Sequence, residues 1–392
     1  MGRKRRPIFS KKKRNKGKIF LGVLTLIAIS YVTYYSDKGL NLPKEDSAKQ
    51  TQPTKQVDAD KHTYFSPMNY KNIKTKIGNK EQIINILKVD LNRKDIEVKP
   101  IFSQNVIFGY ETTSSMISRE GGYAGVNGGF FGDYGQPSGL MVINGEVLTS
   151  SDEYPVFGMD NENKAFLDEI KMEAELAVGN KRIKINGINN IPSNGEAMLL
   201  TSKFGPTTRI SERALNITIQ NNIIKKINWS REPVNIPKDG QVLVVTGKAA
   251  EKIQSLKLEQ KAKCEIKLQS HNKIKHAIEC GAWLVQDGKK VVRRWDKWIG
   301  STRSREPRTA VGLTKDNKLI ILTVDGRQPG KSIGFTGSEL ADYMMGLGVQ
   351  QAAFLDGGGS TTMWVNGKVV NTPSFRGEER KVGNAIGIFI KK

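Results

Sequence analysis

The sequence predicts an α+β protein, a β-rich mixed-sheet domain with a few short helices, preceded by a single N-terminal transmembrane helix. Short apolar runs bounded by Gly, Asn and Asp recur through most of the chain and indicate strands. Helix signals are few, and one uncharged apolar run stands near the N-terminus. The 392 residues, 38% of them hydrophobic, can form a sizeable core.

The N-terminal segment has the pattern of a membrane anchor. Residues 1–18 contain ten Lys and Arg and no acid, and residues 19–35 carry no charge. Seventeen helical residues span roughly 25 Å, near the lower limit for a bilayer core. The basic flank predicts a cytoplasmic N-terminus and an extracellular remainder of the chain, in a single-pass protein of the cell membrane. A cleaved signal peptide is the alternative, but no A-x-A-like site follows the apolar run.

Residues 36–61 are polar and aperiodic, and we interpret them as a flexible linker to a folded domain at 62–392. Of the net charge of +23, about +13 remains outside the N-terminal tail. An exported basic domain favours polyanionic partners such as teichoic acids or acidic glycans, although many exported proteins are basic without a specific partner. A nucleic-acid-binding tail would explain the basic cluster but not the apolar run after it.

Cysteine and histidine usage limits the chemistry. Cys264 and Cys280 lie in strand-like segments, and either a cross-strand disulfide or two separate thiols fits the sequence. The absence of C-x-x-C and the presence of only three histidines argue against a zinc site. Ser360 lacks the x-Gly that follows the serine of a nucleophile elbow. No cofactor is required by the sequence, while a Ca²⁺ or Mg²⁺ ion near strand-end aspartates stays open, without a loop of clear ligand spacing.

Local signals predict individual elements. Segments 82–91 and 96–102 are expected to pair around the turn at 92–95, and 112–119 to form a short helix with Thr112 or Thr113 as N-cap. Thr336 and Glu339 form a capping box that starts a helix closed by Gly348. Further strands and turns are predicted at 142–147 (a hairpin), 182–185, 197–201, 215–219, 241–246, 264–268 and 319–325, with a short helix at 248–256.

The segment at 352–363 has the clearest functional pattern in the sequence. An apolar run reaches Asp356, which three glycines and three hydroxyl residues follow. This pattern predicts a buried strand that delivers a carboxylate into a tight turn, whose backbone N–H groups can approach an oxyanion such as phosphate. An ordinary Gly-rich turn or bulge is the alternative.

Two other predicted strands also end in polar residues. Asn127 is followed by two glycines, Phe130 and Phe131, which are either core residues or the floor of a sugar site, and Asp325 is followed by Gly-Arg. Carboxylates that converge at strand ends suit a glycoside-type reaction. The basic loop at 293–308 can hold phosphate or be a solvated loop, and only Arg308, directly before a strand, is selected as a candidate there.

Taken together, segments 126–131, 307–312, 324–327, 337–347 and 355–363 resemble the phosphodiester glycosidase family. Segments 235–240, 283–288, 370–373 and 380–386 also fit, so the similarity covers about 82–390. The resemblance implies hydrolysis of sugar-1-phosphodiesters between the anomeric carbon and the phosphate oxygen. Together with the basic charge of the chain beyond its N-terminal tail, the resemblance points to GlcNAc-1-phosphodiester-like units, or to glycosylated cell-wall polymers such as teichoic acid and exopolysaccharide, as substrates.

The resemblance also implies roles for the candidate residues. Asp325 and Asp356 would activate water or form a covalent intermediate, and Arg308 would help to neutralise the leaving phosphate. Asn127 and the two phenylalanines would orient the sugar. The expected substrate-binding residues are Asn127, Gly128, Phe130, Phe131, Arg327, Gly357, Gly358, Gly359, Ser360 and Thr361.

One departure from the family pattern lies at 279–283, where relatives tend to have a glycine-rich turn and this chain has Glu-Cys-Gly-Ala-Trp. This difference leaves undetermined the shape of one wall of the expected site and, with it, the identity of the sugar. Two other functions also remain: a non-catalytic module that binds anionic surface glycopolymers, and a phosphotransferase that attaches glycans to the wall.

Overall fold

The computed structural model describes residues 68–269 and 273–391, which belong to one compact unit. This unit is mostly β with few helices, so the predicted β-rich domain is confirmed. The predicted cytoplasmic tail, transmembrane anchor and linker lie outside the described residues. Within the described part, no helix combines the length and apolar character needed to cross a membrane.

The strands of the described part of the chain are numbered β1 to β27 and form six sheets. The largest sheet has seven strands in the spatial order β1 (Met68–Ile77), β2 (Lys80–Asp90), β23 (Lys318–Val324), β22 (Arg308–Thr314), β24 (Val349–Phe354), β18 (Trp283–Gln286) and β19 (Lys289–Lys290). A second sheet has the order β26 (Lys368–Val369), β25 (Met363–Val365), β4 (Ala124–Asn127), β27 (Asn384–Ile390) and β3 (Ile96–Phe102).

The remaining sheets cover the middle of the chain. The third has the order β6 (Glu146–Thr149), β5 (Met141–Ile143), β17 (Ile274–Glu279), β7 (Pro155–Asp160) and β8 (Ala165–Glu169). The fourth has the order β11 (Gly187–Ile188), β12 (Ala197–Thr201), β15 (Gly240–Thr246), β13 (Ala214–Gln220) and β14 (Ile223–Ser230). The two small sheets contain β10 (Lys181–Ile185), β9 (Met172–Val178) and β16 (Lys263–Leu268), and β20 (Trp295–Asp296) with β21 (Gly300–Ser301).

The predicted pairing of 82–91 with 96–102 is wrong. The corresponding strand β2 pairs with β1 and β23, whereas β3 pairs with β27 in the second sheet. The turn between β2 and β3 therefore joins two sheets instead of closing a hairpin. The strands also form a less mixed arrangement than predicted, because only β11 and β12 pair in parallel among the described strands.

Three α-helices interrupt the strands within residues 68–269 and 273–391. Helix α1 (Thr113–Arg119) begins after Thr112, whose hydroxyl accepts the N–H of Ser115, as the N-cap prediction requires. Helix α2 (Gly247–Glu251) is shorter than the predicted 248–256. Helix α3 (Gly337–Gly346) has the predicted capping box. Short 3₁₀ turns lie at Ser103–Asn105, Asp133–Gly135 and Gly358–Ser360.

The main core joins the first three sheets. Apolar side chains from β2, β4, β7 and β24 are buried in one cluster, which includes Leu87, Val126, Phe157 and Ala353. This packing fixes the end of β24 beside the end of β4, where the Asp356 N–H donates to the Gly128 carbonyl at 3.1 Å. The candidate site is built at this junction.

Candidate active site

A pocket of about 410 Å³ opens where β22 begins and β24 ends. Its wall combines two carboxylates, three arginines, aromatic rings and the glycine turn after β24. The pocket is lined by Phe130, Trp298, Ile299, Ser301, Ser304, Glu306, Arg308, Arg327, Phe354, Leu355, Asp356, Gly357, Gly358, Gly359, Phe375 and Arg380.

Asp356 follows β24 and lines the pocket, as the strand-end pattern predicts. Its Oδ1 accepts the N–H of Gly357 at 2.9 Å. Burial raises the pKa of the Asp356 carboxyl, and a hydrogen bond from Ser360, the charge of Arg380 and the Gly357 N–H oppose this shift. A carboxylate with a raised pKa and few protein donors is suited to accept a proton from a ligand or water.

The glycine turn does not form the expected cradle of free N–H groups. Gly357 donates to Asp356, Gly358 donates to the Pro307 carbonyl at 2.8 Å, and Ser360 donates to the Gly357 carbonyl at 3.1 Å. Only the Gly359 N–H of the predicted set has no partner among the described residues. The turn therefore shapes the pocket, and most of the positive charge for an anion must come from side chains.

Arg308 is buried at the start of β22 with 4% of its surface exposed. Its Nε donates to the Phe335 carbonyl at 3.1 Å, and one terminal nitrogen donates to the Ser304 carbonyl at 2.9 Å. Burial lowers the pKa of its guanidinium to about 10, with Glu306 opposing and Arg327 reinforcing this shift. No carboxylate of residues 68–269 or 273–391 forms an ion pair with Arg308, so a buried cation lines the pocket without a directly contacting counter-ion.

Two further arginines flank this cation. Arg327 is exposed and adopts a φ of 60°, and its Nε donates to Glu306 Oε2 at 2.6 Å. Arg380 is also exposed and donates to the Ser360 hydroxyl at 3.2 Å. A Cβ on Gly358 would lie 3.1 Å from the Arg327 guanidinium, so the glycine allows the arginine to approach the turn. Three cations against two carboxylates favour an anionic ligand.

One side of the pocket is aromatic. The rings of Phe130 and Trp298 are stacked, with centroids 5.9 Å apart and planes at 27°. A Cβ on Gly281 would lie 2.7 Å from the Phe130 ring, so the lack of a side chain at this position leaves room for the ring. Gly281 belongs to segment 279–283, where this chain differs from the family pattern. Aromatic rings beside polar groups form surfaces that suit the C–H faces of sugars.

Asp325 does not reach the pocket wall, contrary to its predicted catalytic position. Its carboxyl is 1% exposed, and Oδ2 accepts the N–H of Thr372 at 3.0 Å. Burial raises its pKa, while the Thr372 N–H opposes the shift. Through this hydrogen bond Asp325 contacts the loop after β26, whereas Arg327, two residues later, lines the pocket.

Five predicted substrate-binding residues also lie behind the wall. Asn127 is fully buried, donates to the Asp356 carbonyl and accepts from the Thr309 hydroxyl at 2.9 Å. A Cβ on Gly128 would meet Asn384 Oδ1 at 2.1 Å, which explains this glycine by packing. Phe131 packs under Arg380. Ser360 and Thr361 are also buried. These residues position the turn and do not line the pocket.

The prediction missed Glu306, Arg380 and Trp298. Glu306 directly precedes the 307–312 segment, and Arg380 lies in the 380–386 segment, so the first adjoins and the second belongs to a segment that carried the resemblance. Trp298 belongs to the basic loop from which only Arg308 was selected. Sequence proximity to a motif was available as a signal for the first two, but the fold alone brings Trp298 onto Phe130.

The described residues contain no group of three or more His, Cys, Asp or Glu arranged to hold a metal ion. The divalent cation left open by the sequence thus has no ligand cluster in this part of the chain. Cys264 and Cys280 are both free, so the disulfide alternative is not formed. Burial raises the pKa of each thiol to about 12.

The fold matches a solved structure of a hypothetical protein from Synechocystis. The TM-score is 0.74 at 16% identity, and the match covers 83% of this chain and 62% of that chain. This likeness defines the architecture only.

Residues 213–389 match the phosphodiester glycosidase family, and over this range the chain carries a domain of that family. The range contains every pocket residue described above except Phe130. Two relatives match shorter parts of the chain. An uncharacterized SPbeta prophage-derived protein, YomE, of Bacillus subtilis is 35% identical over 114 residues, which is 29% of this chain and 17% of that protein. The N-acetylglucosamine-1-phosphodiester alpha-N-acetylglucosaminidase of Bos taurus is 39% identical over 67 residues, which is 17% of this chain and 12% of that protein.

Proposed function

We propose that this chain is a hydrolase that cleaves the bond between the anomeric carbon and the phosphate oxygen of sugar-1-phosphodiesters. The observation that carries this proposal is the buried, unpaired Arg308 in the same pocket as Asp356. A reaction with a phosphate leaving group needs a cation that neutralises the developing charge, next to a carboxylate that can accept a proton from water. Membership of residues 213–389 in the phosphodiester glycosidase family supports the same reaction.

In the proposed reaction, water attacks the anomeric carbon and the bond from this carbon to the phosphate oxygen breaks. The bonding electron pair leaves with the phosphate, which is a weak base and needs charge neutralisation more than protonation. Arg308, Arg327 and Arg380 supply this neutralisation. Asp356 accepts the proton of the attacking water, and its raised pKa makes it a stronger base.

Glu306 is the second carboxylate of the pocket. Its hydrogen bond from Arg327 holds it on the wall, and this ion pair fixes the direction of the Arg327 guanidinium. We assign Glu306 to orienting this arginine and Asp356 to accepting the proton. Phe130 and Trp298 contact the sugar ring.

The finer proposal concerns substrate and location. We propose that the sugar-1-phosphodiester is part of an exported glycopolymer such as glycosylated teichoic acid, and that residues 19–35 anchor the enzyme with its domain outside the cell. The basic N-terminal flank, the apolar run after it and the net charge of +23 support this proposal.

The test uses full-length protein in detergent with a synthetic GlcNAc-1-phosphodiester and with purified glycosylated teichoic acid. Release of reducing sugar together with a phosphomonoester is the expected result, with loss of both products in Asp356→Asn protein. A parallel reaction with EDTA tests for a divalent ion. Polymer binding without any turnover would replace the hydrolase with a binding module, and transfer of the glycan to an acceptor instead of water would indicate a phosphotransferase.

A further inference from the structure

A short hairpin at residues 293–303 forms one rim of the pocket and carries an unusual charge. We call this segment the basic hairpin. Its only acid, Asp296, is buried and accepts a hydrogen bond from the Tyr154 hydroxyl at 2.9 Å. Lys297 pairs with Asp152. Arg293, Arg294 and Arg303 are exposed, and their side chains form no ion pair or hydrogen bond with any residue that the structure describes.

The basic hairpin also exposes a large aromatic ring. Trp295 has 65% of its surface accessible, although most apolar side chains of this size are largely covered in folded domains. It stands next to Arg294 in the chain. An indole ring flanked by guanidinium groups combines a surface for C–H faces of sugars with donors for phosphate.

The basic hairpin is held in place from several sides. Strands β20 and β21 pair within it, and Asp296 Oδ1 accepts the N–H groups of Trp298 and Ile299 at 2.9 and 3.1 Å. The Thr302 carbonyl accepts the N–H of Gly337, the first residue of α3, at 2.7 Å. A binding surface that is ordered in advance loses less conformational entropy when a ligand binds.

The register of the hairpin connects its exposed surface to the pocket. Trp295 lies directly opposite Ser301 in the antiparallel pair, and Ser301 lines the pocket. Directly opposite residues of such a pair project from the same face of the sheet. Trp295 therefore lies on the face that adjoins the pocket, and a polymer that leaves the pocket on this side meets the indole ring.

We infer that the basic hairpin is an extended subsite for an anionic phosphodiester glycopolymer whose reacting unit occupies the pocket. This inference rests on the proposed function and adds that the enzyme acts within a polymer. Repeating phosphates contact Arg294 and Arg303, and a neighbouring sugar packs on Trp295. A small sugar-1-phosphodiester fills the pocket alone and does not reach these three side chains.

The test compares a polymer with a small substrate in full-length protein. The triple variant Arg294→Ala, Trp295→Ala, Arg303→Ala removes the subsite. The matched control is Arg213→Ala, Trp229→Ala, Arg231→Ala, which deletes the same residue types at an exposed position on and beside β13 and β14, where none of the three lines the pocket. The readouts are kcat and KM for a short synthetic GlcNAc-1-phosphodiester and for glycosylated teichoic acid, at low and high salt.

We expect the hairpin triple variant to raise KM for the polymer about tenfold, since exposed charges and one stacking ring each contribute modestly. Its kcat/KM for the small substrate stays within about twofold of wild type, and the salt dependence of polymer turnover decreases. Equal losses for both substrates would overturn the inference, because the hairpin would then only support Trp298. An unchanged polymer KM, or the same loss in the control triple, would also overturn it.

Binding measurements separate this inference from the proposed function. If wild-type protein turns over neither substrate, the proposed function fails, and the hairpin is tested by polymer affinity: a loss specific to the hairpin triple supports the subsite, and no loss overturns it. Competition with heparin and with single-stranded DNA tests the assigned occupant. If heparin or single-stranded DNA displaces bound teichoic acid as well as free teichoic acid does at the same charge concentration, the hairpin is not a site for a glycopolymer.

Discussion

Asp356 and Glu279 are both carboxylates whose burial raises the pKa, yet their oxygens face different surroundings. Glu279 ends β17 and accepts the N–H groups of Leu140 at 3.1 Å and Asp152 at 3.0 Å, with the Ser151 hydroxyl at 3.0 Å. Asp356 lines a pocket and takes one N–H of its own turn, from Gly357. Burial is common to both, and the open side of Asp356 alone makes it available to a ligand.

The two carboxylates also support the molecule differently. Glu279 holds the loop that follows β6, and this loop holds the basic hairpin through Tyr154 and Asp152. Glu279 therefore affects the pocket indirectly, by helping to fix the basic hairpin that forms one rim. A buried carboxylate enclosed by several donors stabilises a fold, whereas one that borders a cavity can do chemistry.

The largest expected effect is at Asp356. Asp356→Asn removes the proton acceptor but retains the shape of the side chain, so we expect kcat for a GlcNAc-1-phosphodiester to fall about 10³-fold. Because the native carboxyl is buried with a raised pKa, the neutral amide should leave the melting temperature unchanged or higher. Steady-state kinetics and thermal unfolding measure the two quantities.

Asp325→Asn is the matched control for that change, since it also neutralises a carboxylate at a strand end. Its Oδ2 accepts the Thr372 N–H, a contact that an amide oxygen can still make. We expect kcat within about tenfold of wild type. A loss equal to that of Asp356→Asn would restore Asp325 to the catalytic role that the strand-end pattern predicts and would contradict the pocket assignment.

Glu279→Ala should reduce the free energy of unfolding by about 3 kcal/mol, because several buried donors lose their acceptor at once. Denaturant unfolding measures this loss, and Glu146→Ala, an exposed glutamate on β6 of the same sheet, is the control. The activity of the remaining folded protein should be reduced less than in Asp356→Asn. Normal stability with abolished turnover would instead place Glu279 among the reacting groups.

Arg308→Lys tests the cation of the pocket. A lysine keeps the charge but cannot reproduce the paired contacts to the Phe335 and Ser304 carbonyls. We expect kcat/KM for the phosphodiester to fall about 10²-fold and inhibition by inorganic phosphate to weaken. Arg305→Lys is the control, since Arg305 pairs with Glu339 on α3, and an equal loss there would show that the region needs only correct packing.

These comparisons show how far the sequence specifies the site. The strand before Asp356, the capping box of α3 and the hairpin around Asn144 follow from local patterns, because propensity and turn chemistry determine them. The pairing of β2 and β3 does not, because two strands joined by a short turn can enter different sheets when tertiary packing favours it. Local signals alone do not choose the partner of a strand.

The candidate site residues also divide into features that local sequence patterns predict and features that depend on tertiary structure. A pattern of polar residues at strand ends selected Asn127, Asp325 and Asp356 alike, since each follows an apolar run. Side-chain direction then places Asp356 on the wall and the other two beneath it. Glu306 and Trp298 reach the pocket through loops, whose paths depend on long-range contacts that no short motif contains.

The smallest expected effect concerns pH. Burial raises the pKa of Glu279 to about 7 in the folded protein, whereas an unfolded glutamate titrates near about 4.3. Between these values the folded state binds more protons than the unfolded state, so the contribution of Glu279 to stability is greatest below the unfolded pKa and declines as the pH rises to about 7. From pH 5 to 8 this decline amounts to about 2.5 kcal/mol.

Other groups titrate in the same window, so a difference measurement isolates Glu279. Burial lowers the pKa of His276 to about 4, which makes stability rise with pH up to the unfolded value near about 6.5 and opposes the effect of Glu279. Asp325 and Asp356, with raised pKa values, act in the same direction as Glu279. Glu279→Gln keeps all three and removes only the titration of residue 279. The stability of wild type minus that of Glu279→Gln should therefore fall from pH 5 to 8, and a difference that stays flat would show that Glu279 is ionised in the fold throughout this range.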